Sequence, residues 1–296
     1  MVGTSIVLWA ALLVAVALIY YVRHVEPTRL QIEQVELHIE RLPRQLCGLR
    51  IGQISDTHLR DDRHSVAIAE RAMAEIMVQR PDLICITGDI GHRSWHLDRV
   101  AGLLKALAAQ YGVYAVLGNH DMDETLEFEV FEEKGETRSV SDWITAMEAV
   151  GIEVLFNAHR CLRINGSLVV IAGVGDPSCG YEDLGAALAD APNGDFHILL
   201  SHSPDIFDDA LAEWADLILC GHTHGGQLQL PYIGTPWAPV WRRRDRASGL
   251  MRVNQSTVAY VSRGVSSGVR ARLNCPPEAT VFTLAGGRDD NLRIVT

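Results

Sequence analysis

Five short apolar runs in this chain each lead directly into residues able to bind a metal ion. Ile51-Gly52-Gln53-Ile54 runs on to Asp56-Thr57-His58, and Leu83-Ile84-Cys85-Ile86 to Gly88-Asp89. Tyr114-Ala115-Val116-Leu117 is followed by Gly118-Asn119-His120-Asp121, and Ile198-Leu199-Leu200 by His202. Leu217-Ile218-Leu219-Cys220 precedes Gly221-His222-Thr223-His224-Gly225-Gly226. The glycines stand where a strand must turn sharply. In the pairs Asp56/His58 and His222/His224, extended backbone would aim both side chains to one side, so that a pair can reach one cluster. Carboxylate, amide and imidazole donors without thiolate suit divalent Mn, Fe or Zn. Asp89 is the natural carboxylate to be shared by two neighbouring ions. Taken singly, each piece reads as a turn, a cap or a buried imidazole. Their recurrence at successive strand ends is what points to metal chemistry.

The elements that must position these residues are legible as alternating short apolar runs and helix-period segments. Strands are expected at 49–55, 82–87, 113–117, 153–156, 161–164, 168–172, 196–201, 216–220, 258–262 and 280–284. Helices are expected at 65–79, 97–109 and 141–150, and near 182–189. Leu30, Ile32, Val35, Leu37 and Ile39 add a strand-like alternation with one slip. Uninterrupted apolar strands between helices imply an α/β domain with a largely buried sheet, whose ligands bind beyond the carboxyl ends of its strands.

The ordered series Asp-x-His, Gly-Asp, Gly-Asn-His-Asp, His and Gly-His-x-His resembles the calcineurin-like metallophosphoesterase superfamily over about residues 37–284. The resemblance implies a four-layer α/β/β/α sandwich and a centre of two divalent metal ions. It implies that Asp56, His58, Asp89 and His224 hold one ion, and Asp89, Asn119, His202 and His222 the other. His120 matches the family's catalytic histidine, and Asp121 the carboxylate that orients it. Gly225-Gly226-Gln227, Tyr260 to Gly264 and Pro276-Pro277-Glu278 resemble a bacterial membrane-associated branch. That branch includes phosphodiesterases and UDP-2,3-diacylglucosamine pyrophosphatases. Gly88-Asp89 is followed by Ile90-Gly91-His92-Arg93 rather than the signature of protein Ser/Thr phosphatases, which disfavours that activity. Two such cations would lower the pKa of a shared water and draw phosphate to an otherwise acidic protein. A membrane-tethered scaffold that keeps the fold without turnover is the rival reading, but no ligand position is missing.

Residues 2–22 carry no charge, and about 20 helical residues at ~1.5 Å each cross a bilayer core of ~30 Å. A cleaved signal peptide would want a basic start and small residues just after the apolar run, and neither is present. The chain is therefore expected to divide into an anchor at 1–25, a linker at 26–36, the catalytic domain at 37–286 and a tail at 287–296. Arg23, Arg29, Arg41 and Arg44 follow the span and nothing basic precedes it, which favours a single-pass protein of the cytoplasmic membrane with its domain in the cytoplasm.

The formal net charge of −11 offers no basic field for a polyanion, so nucleic acid is not an expected partner. The expected partners are the lipid bilayer and a phosphorylated, possibly lipid-linked substrate. Six scattered cysteines without a Cys-x-x-Cys pair exclude a zinc ribbon or redox dithiol. Arg242, Arg243, Arg244 and Arg246, with Trp237 and Trp241, form a basic-aromatic cluster. It reads either as a solvated loop or as a flap on head groups or a second phosphate. Residues 124–136 are acidic and read as an excursion near the site mouth.

Overall fold

The structure, a computed structural model, describes residues 2–92, 95–122, 139–240 and 246–289. Helix α1 (Val2–Tyr20) continues through a π turn at Tyr21–Val25 and a 3-10 turn at Glu26–Thr28. Within residues 4–28 an 18-residue window has a mean hydropathy of 2.4 and none of it is buried, so the helix is long and apolar enough to cross a membrane.

Among the described residues, twelve strands form two six-stranded sheets. The first contains β1 (Gln31–Ile39), β2 (Arg50–Ile54), β3 (Leu83–Thr87), β4 (Val113–Val116), β5 (Ile152–Val154) and β12 (Glu278–Gly286). Its order is β1-β12-β2-β3-β4-β5, parallel except where β12 meets β2. The second contains β6 (Ala158–Ile164), β7 (Ser167–Gly173), β8 (Phe196–Leu200), β9 (Leu217–Cys220), β10 (Gly249–Arg252) and β11 (Val258–Val261). Its order is β10-β11-β9-β8-β7-β6, with a parallel centre and antiparallel edges.

The period-two alternation of the strands builds the layers. Leu83 and Cys85 of β3 face the second sheet, where they meet Ile198, Leu200, Leu217 and Leu219. Ile84 and Ile86 face the other way, onto α2 (Arg63–Val78), α3 (Leu97–Leu104) and α4 (Val140–Glu148). Ile218 and Cys220 of β9 likewise turn outward to α5 (Leu184–Leu188) and the 3-10 turns at Pro204–Asp208 and Ala210–Trp214. The result is the expected α/β/β/α sandwich.

Two sequence readings need correction, and one strand was not foreseen. Residues 26–36 do not form a linker: Glu26 and Pro27 are buried, and β1 pairs in register with β12 from Gln31 onward. The slip in its alternation reflects an edge strand buried only toward its end. Helix α3 stops at Leu104 rather than 109, because the chain tightens into i to i+3 turns at Ala106 and Leu107. Strand β10 has four residues with little apolar pattern and gave no sequence signal. The acidic excursion at 124–136 and the tail beyond 289 lie outside the described residues.

Candidate metal centre

The five strand ends converge on one buried cluster. Asp56, His58, Asp89 and His224 bring ligand atoms within 4.8 Å of one another, and so do Asp89, His202 and His222. Asp89 belongs to both groups. Asn119 joins the second, its Oδ1 lying 3.1 Å from His222 Nδ1. All seven side chains are buried.

The backbone that aims them is not the extended chain expected for the i, i+2 pairs. Asp56, His58, Asp89, His222 and His224 all have positive φ, between 41° and 69°. Left-handed backbone is costly for residues with a Cβ, and its concentration at one place is characteristic of functional sites. The turns are held by a ladder between loops: Asp56 N–H donates to Gly88 O at 3.0 Å and His58 N–H to Asp89 O at 2.9 Å. Of the glycines, Gly88 does serve a turn, with φ of 83°. Gly118 and Gly221 serve close approach. A Cβ on Gly118 would stand 2.2 Å from Asp89 Oδ1, and one on Gly221 would stand 2.4 Å from Asp56 Oδ2.

The chemistry of the set fits divalent cations. His202 donates from Nδ1 to Thr87 O at 2.8 Å, which turns Nε2 toward Asp89 Oδ2 at 3.2 Å. Nε2 of His202 and Nδ1 of His224 are buried without a hydrogen bond, and such orphans need an explanation. His58 Nε2 and His224 Nε2 face one another at 3.3 Å. Burial pushes the imidazoles of His58 down to about 3 and of His222 to about 4, and that of His224 lower than usual as well. Neutral imidazole is the form that ligates metal. Burial raises the Asp56 carboxyl to about 7 against the pull of His202. Burial would also raise Asp89, but the charges of His202, His120 and His58 hold it well below the usual carboxylate range. Asp89 in turn raises His202, overcoming the opposite effect of burial.

His120 stands at the edge of this cluster. It lies in a turn closed by Asp121 N–H to Gly118 O, half-buried, with its ring edge-on to His58 at 4.9 Å. Its backbone N–H donates to Asp89 Oδ1 at 3.0 Å. The Asp121 carboxylate accepts from the backbone N–H groups of Ile90, Gly91 and Gly118, and so ties down the loop that carries His120.

A pocket of about 390 Å³ opens above the cluster, lined by Asp89, Asn119, His120, His222 and His224. Its outer wall is apolar: Leu228, Pro236, Trp237, Pro239, Val269 and Ala271. Of that wall, sequence reading singled out only Trp237, and it missed Arg272. Arg272 is fully buried and donates to the carbonyls of Gly264, Ser266 and Cys275. Ser266 N–H donates to Asp56 O, so Arg272 braces the segment that backs a ligand. A buried arginine satisfied by backbone carbonyls carries no local sequence signal. Of the basic cluster, Trp241 and Arg242 to Arg244 lie outside the described residues. Arg246 is buried, pairing with Asp208 at 2.9 Å over the Phe207 ring.

Sandwich and donor set together define a metal-dependent phosphoesterase, and comparison with known proteins agrees. The sequence profile of the calcineurin-like phosphoesterases matches residues 49–226, and the chain belongs to that family. It is 32% identical over 269 residues to the uncharacterised metallophosphoesterase YkuE of Bacillus subtilis, covering 89% of this chain and 88% of that one. It is 34% identical over 222 residues to the phosphodiesterase YaeI of Escherichia coli, covering 74% and 76%. It is 26% identical over 299 residues to the UDP-2,3-diacylglucosamine pyrophosphatase LpxG of Chlamydia trachomatis, covering 87% and 90%.

Proposed function

We propose that this hydrolase uses a dinuclear centre to cleave a phosphodiester or pyrophosphate of a membrane-associated, amphiphilic substrate. The observation that carries the reading is the sharing of Asp89 between two groups of buried donors beneath an open pocket. Asp56, His58, Asp89 and His224 would hold one divalent cation, and Asp89, Asn119, His202 and His222 the other, with Mn, Fe or Zn the suitable elements. When bound, such ions supply positive charge for phosphoryl oxygens and make water acidic enough to attack phosphorus near neutral pH.

The chain's own residues do the rest. His120 lines the pocket beside the candidate ligands, and a protonated imidazole there would donate to the leaving oxygen. Asp121 fixes the turn that presents it. The names of YaeI and LpxG support diester or pyrophosphate cleavage, and LpxG supports a diacylated sugar nucleotide of lipid A synthesis as the substrate type. The apolar N-terminal helix supports single-pass attachment, and the arginines after it support a domain on the cytoplasmic face of the inner membrane.

The test is a screen of purified, manganese-loaded full-length protein against bis-p-nitrophenyl phosphate, alkyl diesters and lipid-linked pyrophosphates. Hydrolysis that chelator abolishes and metal restores is the expected result. Full metal occupancy with no turnover of any phosphate would instead identify the chain as a scaffold.

A further inference from the structure

The apolar wall of the pocket is joined to the membrane helix by a short chain of backbone hydrogen bonds. Arg272 N–H donates to Val22 O at 3.0 Å, in the π turn at Tyr21–Val25 that follows α1. Beside it, Cys275 N–H donates to the carboxylate of buried Glu26 at 2.6 Å. One residue along, Leu273 N–H donates to Gln227 O at 2.9 Å, and Gln229 N–H donates back to Leu273 O at 2.8 Å. Gln227 N–H itself bonds to the carbonyl of the ligand His224 at 3.1 Å. Three steps therefore lead from the helix exit to a metal ligand.

Those steps set the level of the pocket relative to a bilayer. Tyr20 and Tyr21 end the span, Tyr20 tilted on His24 at 5.1 Å and Tyr21 accepting from Arg29 at 2.9 Å. Tyrosines followed by cations mark a membrane–water interface. Val22 sits in this belt, so the segment bonded to it sits at head-group level too.

From Gln227 the chain makes a hairpin, closed by paired bonds between Leu230 and Gly234. Residues 228–240 contain no charged side chain. Tyr232 at the tip is fully exposed, and Ile233, Trp237 and Val269 are 60–70% exposed. The returning arm lies against the ligand turn, where a Cβ on Gly226 would stand 2.5 Å from Trp237 O. An uncharged hairpin with an exposed Tyr, Ile and Trp, beside a membrane helix, is built for the interfacial zone of a bilayer.

We infer that the 228–240 hairpin and Val269 dock into the same leaflet that the N-terminal helix enters, so that the pocket takes phosphate head groups directly from the lipid surface. The acyl part of the substrate stays along Leu228, Trp237 and Val269 while its phosphorus reaches the ligands. This rests on the proposed hydrolytic function for the substrate, but not for the docking itself.

The test uses the full chain in nanodiscs. Tyr232→Trp adds one fluorophore at the hairpin tip, and its emission over wild type is read in ordinary lipid and in lipid brominated on its acyl chains. Quenching by brominated lipid, with protection from aqueous acrylamide, is expected. Quenching by acrylamide alone would overturn the proposal and assign the surface to water or to a protein partner. In the second arm, Tyr232→Glu with Ile233→Glu should slow hydrolysis of an acylated, bilayer-resident diester by about tenfold or more, since two apolar side chains leave the lipid. Bis-p-nitrophenyl phosphate, which needs no lipid, should be cleaved at the wild-type rate to within about twofold. Equal loss on both esters would overturn the docking role. Absence of turnover on every ester would refute the hydrolytic reading while leaving the quenching result intact.

Discussion

Nε2 of His202 and Oδ2 of Asp89, both buried, face each other at 3.2 Å, with His202 fixed from behind by Thr87 O. With Nδ1 occupied as donor, only a proton or a cation at Nε2 reconciles that nitrogen with the carboxylate. Without a metal, the charge of Asp89 raises His202 well above its ordinary value and so favours a proton there.

Metal binding must therefore expel protons. Asp89 raises His202 and burial raises Asp56 to about 7, so both shifts favour the protonated form of a ligand. Both must lose a proton to ligate, so affinity should climb as pH rises through about 7 and fall below it. Calorimetric titration of manganese into metal-free protein, in two buffers of different ionisation enthalpy, should show net proton release. Identical heats in both buffers would count against this coupling.

Gly118→Ala tests the packing of the ligands without removing one. The added methyl would stand 2.2 Å from Asp89 Oδ1 and 2.7 Å from His202 Nε2, while the Gly118 N–H to Asp121 bond is retained. Displacing ligands on the ångström scale should lower the rate by about 10²-fold. Circular dichroism should show the secondary structure intact. A fully active Gly118→Ala enzyme would mean that the shared carboxylate has slack the distances do not suggest.

Outside the site, Asp62 caps α2 by accepting from the N–H groups of His64 and Ser65 at 2.8 and 3.0 Å. Asp62→Ala should cost about 1 kcal/mol of stability. Partial burial would raise this carboxyl, but the Ser65 N–H bond and the charges of Arg60 and Arg270 bring it down to about 2, from 3.8. A depressed carboxylate stabilises above its unfolded value and loses that contribution as pH falls toward the folded one. The gap in unfolding midpoint between wild type and variant should thus be full at pH ~6 and shrink at pH ~3. A gap that does not change with pH would contradict the ionic part of the cap.

The convergence of these candidate ligands was legible because each follows an apolar strand within a few residues, so a local pattern of types and spacing reports the cluster. The geometry that aims them was not. Asp56 and His58 converge through left-handed turns that cross-bond to Gly88 and Asp89, and no feature of Asp-Thr-His announces that backbone. The sheets were read from uninterrupted runs such as 83–87, whereas the alternation from Leu30 to Ile39 was split between linker and domain because the partner of β1 is β12, far along the chain. The bonds from Val22 to Arg272 and from Glu26 to Cys275 are of the same long-range kind. Local periodicity cannot encode which distant segments meet.

His120→Asn separates chemistry from metal binding. His120 adjoins the ligand Asn119 and contacts His58 ring to ring, but belongs to neither group of converging donors. The variant should keep its metal and lose about 10²-fold or more in maximal rate, the usual scale for a general acid. The loss should be smaller for aryl esters, whose leaving group needs little protonation, than for alkyl esters. Equal losses would make His120 a stabiliser of phosphoryl charge, and loss of metal would make it structural.

The central claim, that seven side chains sharing Asp89 hold two catalytic cations, is tested most directly by metal stoichiometry on one preparation. Full-length protein is stripped with chelator and titrated with manganese, and bound metal and bis-p-nitrophenyl phosphate hydrolysis are measured at each step beside Asp89→Asn. The wild type should reach two ions per chain, with activity appearing as the second ion binds, and Asp89→Asn should lose both occupancy and turnover. Full activity at one ion per chain or fewer, or undiminished activity and metal content in Asp89→Asn, would contradict it.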